Sequence, residues 1–99
     1  MSAQTVLIVD DELHIRRLLK NTLERAGYGV DEAVDAREAL RVAASRPLTA
    51  VLLDLGLPDR DGLELVPLLK KLGDPIILVV SAREATDQKV AALDLGAED

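Results

Sequence analysis

Cysteine, phenylalanine and tryptophan are all absent from the 99 residues, and tyrosine occurs once. Without thiols there is no disulfide, no thiolate metal site and no cysteine nucleophile. With so few aromatics the core must be aliphatic, and a hydrophobic content of 48% suffices for one small folded domain rather than a disordered chain. Long apolar runs are also missing. Each run is short and ends in polar residues, so no membrane span is expected. No basic start leads into an apolar stretch and a small-residue cleavage site, so a cytoplasmic location is expected rather than export. Positive charge is in the minority, 12 Lys and Arg against 18 Asp and Glu, for a net charge of -6. That balance repels nucleic acid phosphates, so this chain by itself is not expected to bind DNA or RNA.

Three short apolar runs are present: Thr5 to Val9, Ala50 to Leu53 and Ile76 to Val80. Uninterrupted runs of this length, rich in β-branched residues, read as strands buried on both faces. Gly29 to Ala33 is more polar and reads as an edge strand. Between the strands the period changes to that of a helix. Ile15, Leu18, Leu19, Thr22, Leu23 and Ala26 share one face, with Arg16, Arg17, Lys20 and Glu24 off it, and Gly27 follows as a stop. Ala36, Ala39, Leu40, Ala43 and Ala44 repeat the pattern before Pro47. Leu65, Val66, Leu69 and Leu72 suggest a third helix closed by Gly73, with Pro67 near its first turn or just inside it. Ala85 to Leu95 reads as a fourth, with Thr86 or Asp87 near its start and Gly96 after its end. Alternating strands and helices with short connections imply an α/β fold, a doubly wound parallel sheet with helices on both faces.

The first and third strands both end in acid, in Val9-Asp10-Asp11-Glu12 and in Leu53-Asp54-Leu55-Gly56-Leu57-Pro58. In open α/β sheets the functional crevice lies beyond the carboxyl ends of the strands. If strands one and three are neighbours, Asp10, Asp11 and Asp54 converge there. Crowded carboxylates need a compensating charge, and a hard divalent cation such as Mg²⁺ suits carboxylate and carbonyl donors. The plainer alternative is helix capping by Asp11 and Glu12, which leaves Asp54 unexplained. Asp54, at a strand tip before a turn containing Gly56 and Pro58, suits a nucleophilic carboxylate that forms an aspartyl-phosphate. Asp59 and Asp61 are expected in turn and helix-cap roles. Ser81, at the end of the third apolar run, could hydrogen-bond a phosphoryl oxygen. His14 falls off the apolar face and reads as a surface residue.

These segments, together with Val80-Ser81-Ala82-Arg83 and Ala91-Ala92-Leu93-Asp94-Leu95-Gly96-Ala97-Glu98-Asp99, make the chain resemble a response-regulator receiver domain of the CheY-like family along its whole length. The wording is most similar to KdpE-type regulators of potassium uptake, within the OmpR/PhoB group that carries a winged-helix DNA-binding domain. The resemblance implies the flavodoxin-like sheet order 2-1-3-4-5. It implies Asp54 as phosphoacceptor, Asp11 as the more direct Mg²⁺ ligand, Asp10 acting largely through water, the Gly56 carbonyl as backbone ligand, and Ser81 as the switch hydroxyl. It implies a sensor histidine kinase as phosphodonor, a homodimer of the parent protein on activation, and a transcriptional output such as potassium-uptake genes. The chain would then be a phosphoacceptor that takes part in transfer and autodephosphorylation rather than an enzyme in its own right.

The family pattern continues past Gly96-Ala97-Glu98-Asp99 with a fifth strand, a lysine before a proline, and a fifth helix. None of Lys20, Lys70, Lys71 or Lys89 stands at that lysine's position. Residues 1–99 are therefore expected to be a receiver domain incomplete at its C-terminus. The parent chain is expected to run on, or this chain to associate through its fourth strand and the face bared by the lost helix. Two other function classes are open to a chain of this kind. A Mg²⁺-dependent phosphatase with an aspartyl nucleophile generally has a second Asp two residues on, where this chain has Gly56. A receiver-like module that works by protein contact alone would not need its complete acid set, although the absent lysine leaves that reading open.

Overall fold

The computed structural model describes residues 4–80. Ser81 and the helix expected over Ala85 to Leu95 lie outside the described residues. The elements run in strict alternation: β1 (Thr5–Val9), α1 (Leu13–Arg25), β2 (Gly29–Ala33), α2 (Ala36–Ser45), β3 (Ala50–Leu53), α3 (Gly62–Lys71) and β4 (Ile76–Val79). All neighbouring strands pair in parallel, in the order β2-β1-β3-β4. This is the flavodoxin-like arrangement as far as the described residues run.

The pleat of β1 divides the core. Leu7 and Val9 face the larger cluster, where Val51, Leu53, Ile77 and Val79 meet Ala36, Ala39 and Ala43 of α2 and Leu65, Val66 and Leu69 of α3. Val6 and Ile8 face the other side with Leu52, against Leu19 and Leu23 of α1. The two sides are unequally filled. Leu7, Val51, Leu53, Leu65, Leu69 and Ile77 are fully buried, whereas no residue of α1 is.

The apolar face expected of α1 is narrower than its periodicity suggests. Ile15, Leu19 and Leu23 are half-buried, but Leu18, Thr22 and Ala26 are exposed, Leu18 by 63%. Arg16, expected off that face, has a side chain only 12% exposed. Helical periodicity identifies a stripe but not the direction in which the helix leans on the sheet. Ala44 of α2 is likewise exposed, Val42 packing against the core beside the buried alanines. Pro67 lies in the second turn of α3. It has no N–H to give to the Leu63 carbonyl, so the start of that helix relies on its cap: Asp61 accepts from the Leu63 amide at 3.0 Å. No helix among the described residues is long and apolar enough to cross a membrane.

Candidate phosphoacceptor and metal site

Because β1 and β3 are neighbours in register, Val9 beside Leu53, the residues that follow them meet beyond the carboxyl edge of the sheet. The Asp54 amide donates to the Val9 carbonyl at 2.9 Å and the Asp10 amide to the Ala33 carbonyl at 3.1 Å, so strand pairing carries one step past each strand and fixes both backbones. Asp10, Asp11 and Asp54 are brought together as expected, with a carboxylate oxygen from each lying within 4.8 Å of the others. Asp10 and Asp54 are 4% and 6% exposed, while Asp11 faces solvent.

Each buried carboxylate is partly engaged. Oδ1 of Asp10 accepts from the Glu12 amide at 2.8 Å, and Oδ1 of Asp54 accepts from the Gly56 amide at 3.2 Å. Among the described residues those are their side-chain hydrogen bonds, which leave the second oxygen of each carboxylate available at the crevice. Burial pushes the Asp10 carboxyl above its usual range, and Asp54, Asp11 and Glu12 push the same way. The Glu12 amide bond pulls against them. Such a group of hard oxygen donors, crowded and of one charge, fits a divalent cation. The capping alternative fares poorly: Glu12 stands at the N-cap of α1, yet its side chain makes no cap hydrogen bond.

Asp59 and Asp61 are caps and take no part in the cluster. Asp61 caps α3 directly, whereas Asp59 reaches across to α2 and accepts from the Ala36 and Arg37 amides at 2.9 and 3.0 Å. Asp35, the N-cap residue of α2, accepts from the Glu38 amide, and Glu38 returns a bond from the Val34 amide. Asp59 thereby ties the loop after Asp54 to a neighbouring helix, and the Ala36 amide bond holds its carboxyl below the usual range. His14 is exposed. Ser81 lies outside the described residues.

Two residues at the site carry no chemical signature in the sequence. Gly62, the first residue of α3, is buried against the strand tip. A Cβ there would stand 2.6 Å from Leu55 Cα and 2.8 Å from the Asp54 carbonyl oxygen. Arg16 Nη1 donates to the Asp10 carbonyl at 2.9 Å, and Nε of the same side chain to Glu32 at 3.1 Å. The glycine could be suspected from its place after a turn. The arginine has only its helical position to mark it, and that position argues for solvent.

Comparison with known proteins identifies the family and agrees with the fold. The family model described as the response regulator receiver domain matches residues 6–99. The KDP operon transcriptional regulatory protein KdpE of Escherichia coli K12 is 46% identical over 94 residues, covering 95% of this chain and 42% of the relative. The response regulator MprA of Mycolicibacterium vanbaalenii is 44% identical over 95 residues, covering 95% of this chain and 41% of the relative. The chain thus spans about two fifths of the length of these curated relatives. Among solved structures, a response regulator from Burkholderia pseudomallei is similar at TM-score 0.89 and 33% identity, over 95% of this chain and 56% of that one. It is described as holding a phosphorylated aspartic acid, a calcium ion and citrate. A CheY-like receiver domain protein from Methanospirillum hungatei is similar at TM-score 0.91 and 33% identity, over 98% of this chain and 78% of that one.

Proposed function

The chain belongs to the response regulator receiver domain family, and on that premise we propose that Asp54 accepts a phosphoryl group from a sensor histidine kinase at a Mg²⁺ site formed with Asp10 and Asp11. The observation that carries this reading is the convergence of the three carboxylates, within 4.8 Å, around a buried Asp54 whose backbone is held by the neighbouring strand.

The Gly56 amide holds Oδ1 of Asp54, so Oδ2 is the attacking oxygen. It forms the new O–P bond as the bond from phosphorus to the donor imidazole nitrogen breaks, and the electron pair of that bond leaves with the imidazole. Asp10, Asp11 and Asp54, with the Gly56 carbonyl, would hold the Mg²⁺, whose charge would offset those of the carboxylates and of the transferring oxygens. The contribution of the protein is placement. Strand pairing fixes the attacking group before the donor arrives, and burial keeps competing water to a minimum. The acyl phosphate then brings about -1.5 to -2 charge to the strand tips, and Ser81 closes on it. Cytoplasmic location follows from a cytoplasmic donor. In the whole protein the output is transcriptional, through a dimer, with potassium-uptake genes suggested by the likeness to KdpE.

Intact-mass analysis after incubation with acetyl phosphate and Mg²⁺ tests the assignment. Wild type should gain one phosphoryl group and Asp54→Asn none. A full phosphoryl gain in Asp54→Asn would refute it.

A further inference from the structure

Asp10 leaves β1 with its backbone carbonyl past the last strand pairing, at a residue that is 4% exposed. A buried carbonyl needs a donor. Among the described residues that donor is Arg16, reaching back from the first turns of α1 at 2.9 Å. Arg16 is itself held. Its Nε donates to Glu32 Oε1 at 3.1 Å, and the same carboxylate takes Lys20 Nζ at 3.5 Å. Glu32 lies on β2 directly beside Ile8 of β1. One guanidinium therefore joins the start of α1, the end of β1 and the penultimate residue of β2, using two of its donors. The group it grips belongs to the peptide linking Asp10 to Asp11. Both residues send carboxylates into the cluster, so the orientation of that peptide sets where both carboxylates point.

We propose that Arg16, anchored by Glu32, is a positioning residue of the acid cluster: it fixes the Asp10–Asp11 peptide so that both carboxylates are aligned for a divalent cation. This inference rests on the reading of the cluster as a Mg²⁺ site. It has a sign that simple electrostatics does not share. A cation beside the site repels Mg²⁺, so if Arg16 acted only through its charge, its removal would tighten Mg²⁺ binding. If it acts by placement, its removal weakens binding. The loss of a partner that orients metal ligands commonly costs roughly 10- to 100-fold in affinity.

Isothermal titration of the chain with Mg²⁺ alone, in wild type, Arg16→Met, Arg16→Lys and Arg17→Met, decides between them. Arg17 is exposed on the same helix and supplies the through-space control. Placement predicts that both Arg16 variants bind about tenfold more weakly, the lysine variant despite its retained charge, and that Arg17→Met binds as wild type or slightly tighter. Wild-type or tighter binding by a folded Arg16→Met overturns the proposal, as does an equal loss in Arg17→Met. Should far-UV circular dichroism find Arg16→Met unfolded, Arg16→Lys alone decides, and wild-type affinity there overturns the proposal. A wild type that takes up no Mg²⁺ refutes the reading of the site itself, and this inference with it.

Discussion

Replacing Gly62 by alanine adds one methyl group where α3 begins, and the surroundings make that addition costly. The new carbon would lie 2.6 Å from Leu55 Cα, 2.8 Å from the Asp54 carbonyl oxygen and 3.2 Å from the Leu55 carbonyl carbon. Carbon atoms rest at roughly 3.5–4.0 Å, and all three obstacles are main-chain atoms that cannot rotate away. The helix start must withdraw by about 1 Å. Overpacking of this kind costs about 1–3 kcal/mol. Withdrawal also strains the bond from the Gly62 amide to the Leu55 carbonyl, now 3.0 Å, worth about 1 kcal/mol. Against this, alanine restricts the unfolded chain and returns about 0.4–1 kcal/mol. The net is a loss of about 1–3 kcal/mol, or roughly 4–8 °C in Tm for each kcal/mol in a domain of this size. Urea unfolding of Gly62→Ala beside wild type measures it. The displaced atoms adjoin Asp54, so phosphorylation by acetyl phosphate should slow as well. A variant as stable as wild type and phosphorylated at the same rate would refute the close-approach argument.

The acid cluster should leave a mark on stability in the absence of divalent cations. The Asp10 carboxyl titrates above its ordinary 3.8 in the fold, so stability falls as pH rises from 3.8 through the folded value, and the charged form is a standing cost above it. Asp10→Asn keeps an oxygen for the Glu12 amide and removes the charge. Without divalent cations it should melt higher than wild type at neutral pH and converge with it below pH 3.8, and equal melting at neutral pH would count against the repulsion. Excess Mg²⁺ should reverse the order, since binding to the fold alone adds about 2.7 kcal/mol at a hundredfold excess over Kd. The loop anchor is separable from the cluster. Asp59→Ala should speed amide exchange at Ala36 and Arg37, the effect fading at acid pH below the usual carboxylate range as wild-type Asp59 is itself protonated. Unchanged exchange at those two amides would deny the cap.

The strands were legible because each buried run is continuous and bounded. Thr5–Val9 and Ala50–Leu53 stand where the apolar pattern puts them, the more polar Gly29–Ala33 is the edge strand expected, and β4 ends one residue earlier than its run. The acid cluster was legible for a related reason. The alternating pattern gives a parallel sheet, the resemblance to the receiver family supplies its strand order, and that order puts the residues after β1 and β3 side by side. What the pattern could not supply is contact between residues far apart in the chain. Arg16 meets Glu32 across 16 positions and Asp59 meets Ala36 across 23. Both pairings depend on how loops and helices lean once packed. The exposure of Leu18 belongs with them, since periodicity treats a helix as a cylinder and the sheet touches only part of it.

The placement of β1 between β2 and β3 has a consequence for synthesis. β1 is an inner strand of the sheet, and its two neighbours, β2 and β3, are made after it. On the ribosome, at about 5–20 residues per second, the stretch from Val9 to Leu53 takes roughly 2–9 s. Throughout that interval Val6, Leu7, Ile8 and Val9 lack the strand that will bury one edge. The nascent chain must hold this short aliphatic segment out of other partnerships until β3 has left the exit tunnel. Asp54, just past the end of β3, is thus made together with the strand that completes its own support.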